Sequence, residues 1–457
     1  MEARFLERKL ALLEESQVEP EDFAGVEVRL QEFVQPFFRS LVQEKQRRRA
    51  AEFMGGLVSD VERKNAESIA YRCDQERDEM QYFLGASRWD HRPLLLELAR
   101  QVGRDLGRPD GVLVFDPSGF PKKGSQSVGV QRQWCGRLGK VDNCQVGIFM
   151  GYVSAVEHAL VNFRLYLPRE WATDQPRRRR CHVPREVRFQ TRHQQCLEML
   201  DEMGSLLPHA WITGDDEMGR SSAFRRELRG RGEQYLLAVP CHTLIRDLDA
   251  APPESAGTGA PRKVPFVRVE KWRDALPPAA WQAVDVRDGE QGPLRVELVS
   301  CRVRAKSDGK RVGPEELFVI LRSPEAGGGW KYDFHLSNAP PDTPPAELAR
   351  VAKAEHRIED CLQRGKSEAG LGDYEVRGWH GWHPHQTLSL IAAWFLNDET
   401  RRGEKKDARP DAAANAPAHR PPAPCRRRLR PTPPHRVRIH TPLGTKPTRP
   451  LRLPQTP

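Results

Sequence analysis

Three carboxylates stand where short apolar or helical segments would hold them. FDPSG puts Asp116 after the run Val112 to Phe115, WITGDDE puts Asp215 after Ala210 to Thr213, and HRIED puts Glu359 in a helical pattern. A carboxylate at the end of a fully apolar strand must be paired or bound to a cation, because an unpaired buried charge is costly. Carboxylates gathered from two strands and a helix make an oxygen-ligand site for hard divalent ions. Mg2+ and Mn2+ prefer such ligands, and two of them can share the site at about 3.5 to 4 Å. One ion then lowers the pKa of water or of a 3′ hydroxyl and the other stabilises the leaving oxygen, as phosphodiester cleavage and strand transfer require. Lys366 follows Glu359 by seven residues. That is close to two helical turns, so its ammonium faces the same way and could hold a substrate phosphate.

Each residue also has a plainer reading. Asp116 could cap the DPSG turn. Asp215, Asp216 and Glu217 compete to cap a helix, and Glu355 and Asp360 compete with Glu359 as surface charges. Lys122, Lys123, Arg132 and Arg137 suit phosphate contact or a solvated strand edge. Lys45, Arg47, Arg48 and Arg49 form either a solvated helix face or a phosphate-contacting one. His380, His383 and His385 in GWHGWHPH have metal-ligand types but lack a rigid helical spacing, and the neighbouring aromatics favour packing or base and sugar contact over zinc.

Several elements must position these groups. Residues 1–106 read as all-helical, with a helix starting at Pro36 that buries Phe37, Phe38 and Leu41, and another burying Leu94, Leu95, Leu98 and Val102. Ser87, Trp89, Asp90 and Pro93 mark a break between helices. From 107 to 240 the texture turns to strands: Val112–Phe115, closed by Asp116, then Cys144–Ser154 and Ala159–Leu167 as an antiparallel meander. A helix over Pro184–Leu207, the run ending at Asp215, a helix over Ser221–Arg229 and a strand over Gln234–Val239 follow. Residues 241–335 carry short strand-like runs (Val264–Val269, Leu294–Arg304, Glu316–Leu321) between Pro and Gly and read as a β-rich insertion. Residues 336–406 return to helices, Pro344–Lys366 and Pro384–Asn397.

Composition sets bounds. The formal charge of +10 comes from residues 408–457, whose ten Arg, one Lys and single Asp411 account for it. The body is therefore neutral, and any DNA binding there rests on local patches. With 13 Pro and almost nothing to form a core, the segment 407–457 reads as a disordered tail, and its abrupt onset suggests a frame-shifted translation. The scattered cysteines have no CxxC pair and read as core thiols. No run of apolar residues has membrane-spanning length and the N-terminus is no signal peptide, so a cytoplasmic, nucleoid-associated protein is expected.

FDPSGFPKKGSQSVGVQRQWCGRLGKVDNCQVG, WITGDDEMGRSSAFRRELRGRG and HRIEDCLQRGKSEAGLGDYEVRGWHGWHPHQTLSL resemble the DDE transposases of bacterial insertion sequences over most of residues 30–406. The resemblance implies an α/β RNase H-like catalytic core with a β-rich insertion before the catalytic Glu, preceded by a helical DNA-binding domain. It implies Asp116, Asp215 and Glu359 as catalytic metal ligands for two Mg2+ or Mn2+ ions, and Lys366 as the substrate-phosphate lysine. It also implies terminal inverted repeats and target DNA as partners, and a homo-oligomer on DNA. The branch carries Tyr and Arg in the pattern Y-x-x-R-x-x-x-E; here those places hold Ala352 and Glu355, and Met218 stands where an aromatic is frequent.

Overall fold

A computed structural model describes residues 25–253, 263–287, 294–306, 311–325 and 327–407. The tail from 408 on, with the frame-shift and disorder read there, lies outside the described residues, as do residues 1–24.

The N-terminal part is helical as expected: α1 Val26–Phe38, α2 Glu44–Leu57, α3 Ala66–Arg72, α4 Arg77–Gly85 and α5 Arg92–Leu106. Pro36 lies in the last turn of α1, not its first. The helix begins ten residues earlier, at Val26. The break at 86–91 is present, and Pro93 sits in the first turn of α5, where the missing N–H costs nothing. Lys45, Arg47, Arg48 and Arg49 on α2 each reach a glutamate, among Glu44, Glu52 and Glu79, so the basic run is an ion-paired face.

The strands follow as β1 Val112–Pro121, β2 Gln131–Cys135, β3 Lys140–Val153 and β4 His158–Tyr166. After α6 Arg169–Thr173, α7 Gln175–Arg180 and α8 Arg192–Met203 come β5 Trp211–Gly214, α9 Asp216–Arg220, α10 Ser222–Gly230 and β6 Tyr235–Ala238. The helix read over Pro184–Leu207 starts only at Arg192. Thr191 caps it and its side chain accepts from the Gln194 N–H, while 184–191 runs irregularly. The remaining elements are β7 Leu244–Asp247, β8 Val267–Arg268, α11 Val269–Asp274, β9 Gln282–Arg287, β10 Leu294–Lys306, β11 Val312–Pro324, β12 Trp330–Ser337, α12 Pro345–Glu368 and α13 Trp379–Asp407.

Five strands form the RNase H-like core in the order β4-β3-β1-β5-β6, with β4, β3 and β1 antiparallel and β5 and β6 parallel to β1. From Cys144 to Val153 every residue of β3 is buried, as a strand covered on both faces must be. Gly151 meets Ile358 of α12 on one face. Asn162, opposite Met150, meets Met203 of α8 on the other. The insertion extends this same sheet: β12 pairs with β6, then β11, β10, β7 and β8 follow, with β9 on β10. It carries a second small apolar cluster, with Ile245, Val303, Phe318, Ile320 and Leu336 buried. A buried ion pair ties it back, because Arg225 of α10 and the Tyr235 hydroxyl both donate to Glu316 of β11, at 2.8 and 2.7 Å.

Candidate active site

β1 does not stop at Asp116. Its antiparallel ladder with β3 continues from Asp116 opposite Phe149 to Pro121 opposite Cys144. What stops is the other edge, since the parallel pairing with β5 ends at Phe115 opposite Gly214. The prolines 117 and 121 are tolerated because only one edge of β1 is paired there. Asp116 and Asp215 are thus the next residues on two adjacent parallel strands, whose spacing is about 4.8 Å.

The Asp116 side chain is half-buried and, among the described residues, has neither ion-pair nor hydrogen-bond partner. Burial, then the charges of Asp215 and Glu359, push its carboxyl well above the usual carboxylate range, and Lys366 pulls the other way. Asp215 both caps and faces the site: one oxygen accepts from the Met218 N–H at 3.1 Å. Burial, opposed by that bond and reinforced by Glu217 and Asp216, carries it to about 7. The two competitors are occupied elsewhere, Glu217 with Arg192 at 2.5 Å and Asp216 with Arg220 at 3.3 Å.

α12 supplies the third side. The Trp211 indole N–H donates to Glu347 at 2.6 Å near its start, and Ile358 against Gly151 seats its middle on β3. On its stripe lie Glu355, Glu359 and Lys366, four and seven residues apart. Glu359 is the outlying carboxylate: its side chain is 63 % exposed and accepts from His356 at 3.4 Å. That bond holds its carboxyl below the usual range. Glu355, which stands where the related pattern has Arg, lies deeper and has no ion-pair partner among the described residues. Burial and then Asp215, Asp116 and Glu359 raise it to about 8. Sequence reasoning treated Glu355 as a rival or a departure; the fold makes it a fourth member of the acidic group. Among the described residues no three His, Cys, Asp or Glu side chains form a closed metal-holding group as they lie.

Lys366 donates to the Ser118 hydroxyl at 2.6 Å and rests over the Phe120 ring at 5.2 Å, beside Asp116. Burial and then Arg137 hold its ammonium below the ordinary lysine value. Of the other basic candidates, Lys122 is engaged internally, donating to the Tyr374 carbonyl at 2.6 Å, whereas Lys123, Arg132 and Arg137 are exposed. The histidines pack: His383 bonds the Trp379 carbonyl and His385 the Gly370 carbonyl, both buried, while His380 is exposed. Tyr374 is likewise structural, its hydroxyl donating to the Gly378 carbonyl at 2.8 Å.

The donor set suits a hard cation. Asp116, Asp215, Glu355 and Glu359 offer oxygens alone and, among the described residues, no Lys or Arg lies within ion-pair distance of any of them.

Some known proteins are similar to this chain. A probable transposase for insertion sequence element IS701 of Microchaete diplosiphon is 38% identical over 120 residues, which is 25% of this chain; the chain spans only 30% of that relative's length. A piggyBac transposase synaptic complex with hairpin DNA, solved by cryo-EM, is similar at 12% identity and a TM-score of 0.38, over 80% of this chain and 68% of that one, a likeness too slight to carry weight. Residues 36–293, more than half of the chain, match the DDE superfamily endonucleases, and the chain belongs to that family.

Proposed function

We propose that the protein is a DNA transposase of an insertion sequence, cutting a strand at each element end and joining it to target DNA. The observation that carries this reading is the pair Asp116 and Asp215 on adjacent parallel strand ends, half-buried and without an ion-pair partner among the described residues, beneath a helix bearing Glu355 and Glu359. Asp116, Asp215 and Glu359 would hold two Mg2+ or Mn2+ ions. Bound there, such ions supply Lewis acidity to the phosphodiester and lower the pKa of the attacking hydroxyl. The protein's own groups do the rest. Lys366, anchored by Ser118, presents its ammonium to a phosphate next to Asp116, and exposed Arg137 adds a second positive charge beside it. DNA ends and target are the substrates, and a homo-oligomer brings two ends together.

The test is Mg2+-dependent nicking and strand transfer on oligonucleotides carrying the inverted repeats that flank the gene. Wild type is expected to nick and join, and Asp116→Asn to do neither. Nicking without joined product from pre-cut ends would make it a nuclease only. A second reading has one observation in its favour: Glu355 puts a negative charge where the related pattern has a cation. On that reading the chain is a DNA-binding remnant, and Glu355→Arg would gain Mg2+-dependent nicking that the wild type lacks.

A further inference from the structure

The basic run most conspicuous in the sequence, on α2, is fully paired. A second basic run is arranged differently. Residues 177–188 hold six arginines, RRRR followed by Arg185 and Arg188. Two are structural. Arg178 is buried and donates to the Pro184 and Val187 carbonyls at 2.8 Å, while Arg177 stacks on Trp171 and donates to Val130 at 3.0 Å. They brace the segment. The other four, Arg179, Arg180, Arg185 and Arg188, are exposed and, among the described residues, have no carboxylate partner.

Neighbouring segments bring more positive charge to the same face. Arg180 donates to Gln126 at 2.6 Å and the Cys181 thiol meets the Gln126 carbonyl, which draws in the loop carrying exposed Lys123. The Trp379 N–H donates to the Cys181 carbonyl at 2.8 Å, and the Val128 N–H to the Arg377 carbonyl at 2.9 Å, which adds exposed Arg377. Burial, and then the nearby His182 and Arg88, hold His380 below the ordinary histidine value. Beside them opens a groove of about 1110 Å³ whose wall includes Arg88, Arg188, Trp89 and Trp379, together with the acids Asp90, Glu186, Glu198 and Glu202. The acid within the segment is Glu186, against four unpaired arginines.

We infer that this face, centred on Arg179, Arg180, Arg185 and Arg188, is a docking surface for the phosphate backbone of duplex DNA. A row of unpaired guanidinium groups on a braced segment fits a polyanion, and it carries no sequence-reading geometry. Its position suits the substrate. The extended strand from Asp116 to Pro121 covers about 17 Å before the Lys123 loop begins, close to half a turn of duplex. A duplex with its scissile phosphate at Asp116 would therefore lie across this face. The inference rests on the transposase reading above for its choice of DNA.

The test is the salt dependence of binding to a 30-base-pair duplex, read by fluorescence anisotropy on the full chain between 50 and 200 mM salt. Each lost phosphate contact lowers the slope of log affinity against log salt by about 0.9. The fourfold variant Arg179→Ser, Arg180→Ser, Arg185→Ser, Arg188→Ser is expected to lose about 2 to 4 from the slope, equally on unrelated sequences. A control variant, Lys45→Ser, Arg47→Ser and Arg48→Ser, removes paired cations of similar charge and is expected to leave the slope unchanged. Circular dichroism melts of both establish folding. An unchanged slope in the fourfold variant, or an equal fall in the control, overturns the surface. Mg2+-dependent nicking retained by that variant at low salt would leave the transposase reading standing, whereas a wild type that binds no duplex at 50 mM salt overturns both.

Discussion

At the scale of single residues, the acidic group trades stability for chemistry. Asp116, Asp215 and Glu355 lie in a poorly hydrated place, and burial first, then the charges of neighbouring carboxylates, holds each above the usual carboxylate range. Replacing one carboxylate by its amide removes repulsion without changing shape. In the absence of metal, Asp116→Asn is expected to unfold later than wild type at pH 8, by about 0.5 to 2 kcal/mol, while losing all Mg2+-dependent nicking. Denaturant melts of both proteins check this, and a variant less stable than wild type would mean that the group is not strained. The two aspartates were legible in the sequence because each follows an apolar run bounded by turn formers. The environment of Glu355 was not, since helical spacing alone cannot say whether a position one turn before Glu359 faces water or two half-buried aspartates. The fate of the basic residues was equally hidden. Whether Lys122 meets a phosphate or the carbonyl of Tyr374 depends on a segment about 250 residues away.

Elements decide whether those residues meet. α12 reaches the sheet because β3 has no side chain at Gly151, where an added Cβ would stand 2.0 Å from Ile358 Cδ1. Gly151→Val is expected to destabilise the fold by about 1 to 3 kcal/mol and to lower nicking further than stability explains, because it lifts the helix that carries Glu355 and Glu359. Comparing folded fraction with rate per folded molecule separates the two effects. A second expectation concerns acid. Burial holds His91 down to about 3 and His385 to about 4, and drives His383 well below its ordinary value, with Arg164 adding to His91 and His383 and Lys122 to His385. Unfolded, these rings titrate near 6.5. The unfolded chain therefore takes up protons that the folded one refuses, so stability present above about 6.5 drains away as pH falls toward 4. The melting temperature is expected to drop over that window, and His385→Gln to make the drop shallower. Strand boundaries were partly legible: the alternation past Asp116 was broken by Pro117 and Pro121, which hid the continuation of β1. β9, β12 and α11 were missed because their runs are short and interrupted by charge.

Taken whole, the described residues do not set the insertion apart from the catalytic sheet. β12 hydrogen-bonds to β6, and Arg225, Tyr235 and Glu316 lock the two parts through a buried pair. Glu316→Ala leaves the Arg225 charge enclosed without its counter-ion and is expected to cost about 3 to 5 kcal/mol. Thermal melts followed at both near- and far-ultraviolet wavelengths should fall together if insertion and core unfold as a unit. The β-rich character of 241–335 was visible from punctuation by Pro and Gly. Its fusion edge-to-edge with the core was not, since strand pairing between distant segments leaves no local mark in composition.

The contact between Gly151 and Ile358 also has a consequence during synthesis. The strand leaves the ribosome roughly 200 residues before the helix that covers it, which at about 5 to 20 residues per second is an interval of about 10 to 40 s. Through that interval an apolar sheet face waits for its lid, so the nascent chain should be a client of holding chaperones until α12 has emerged.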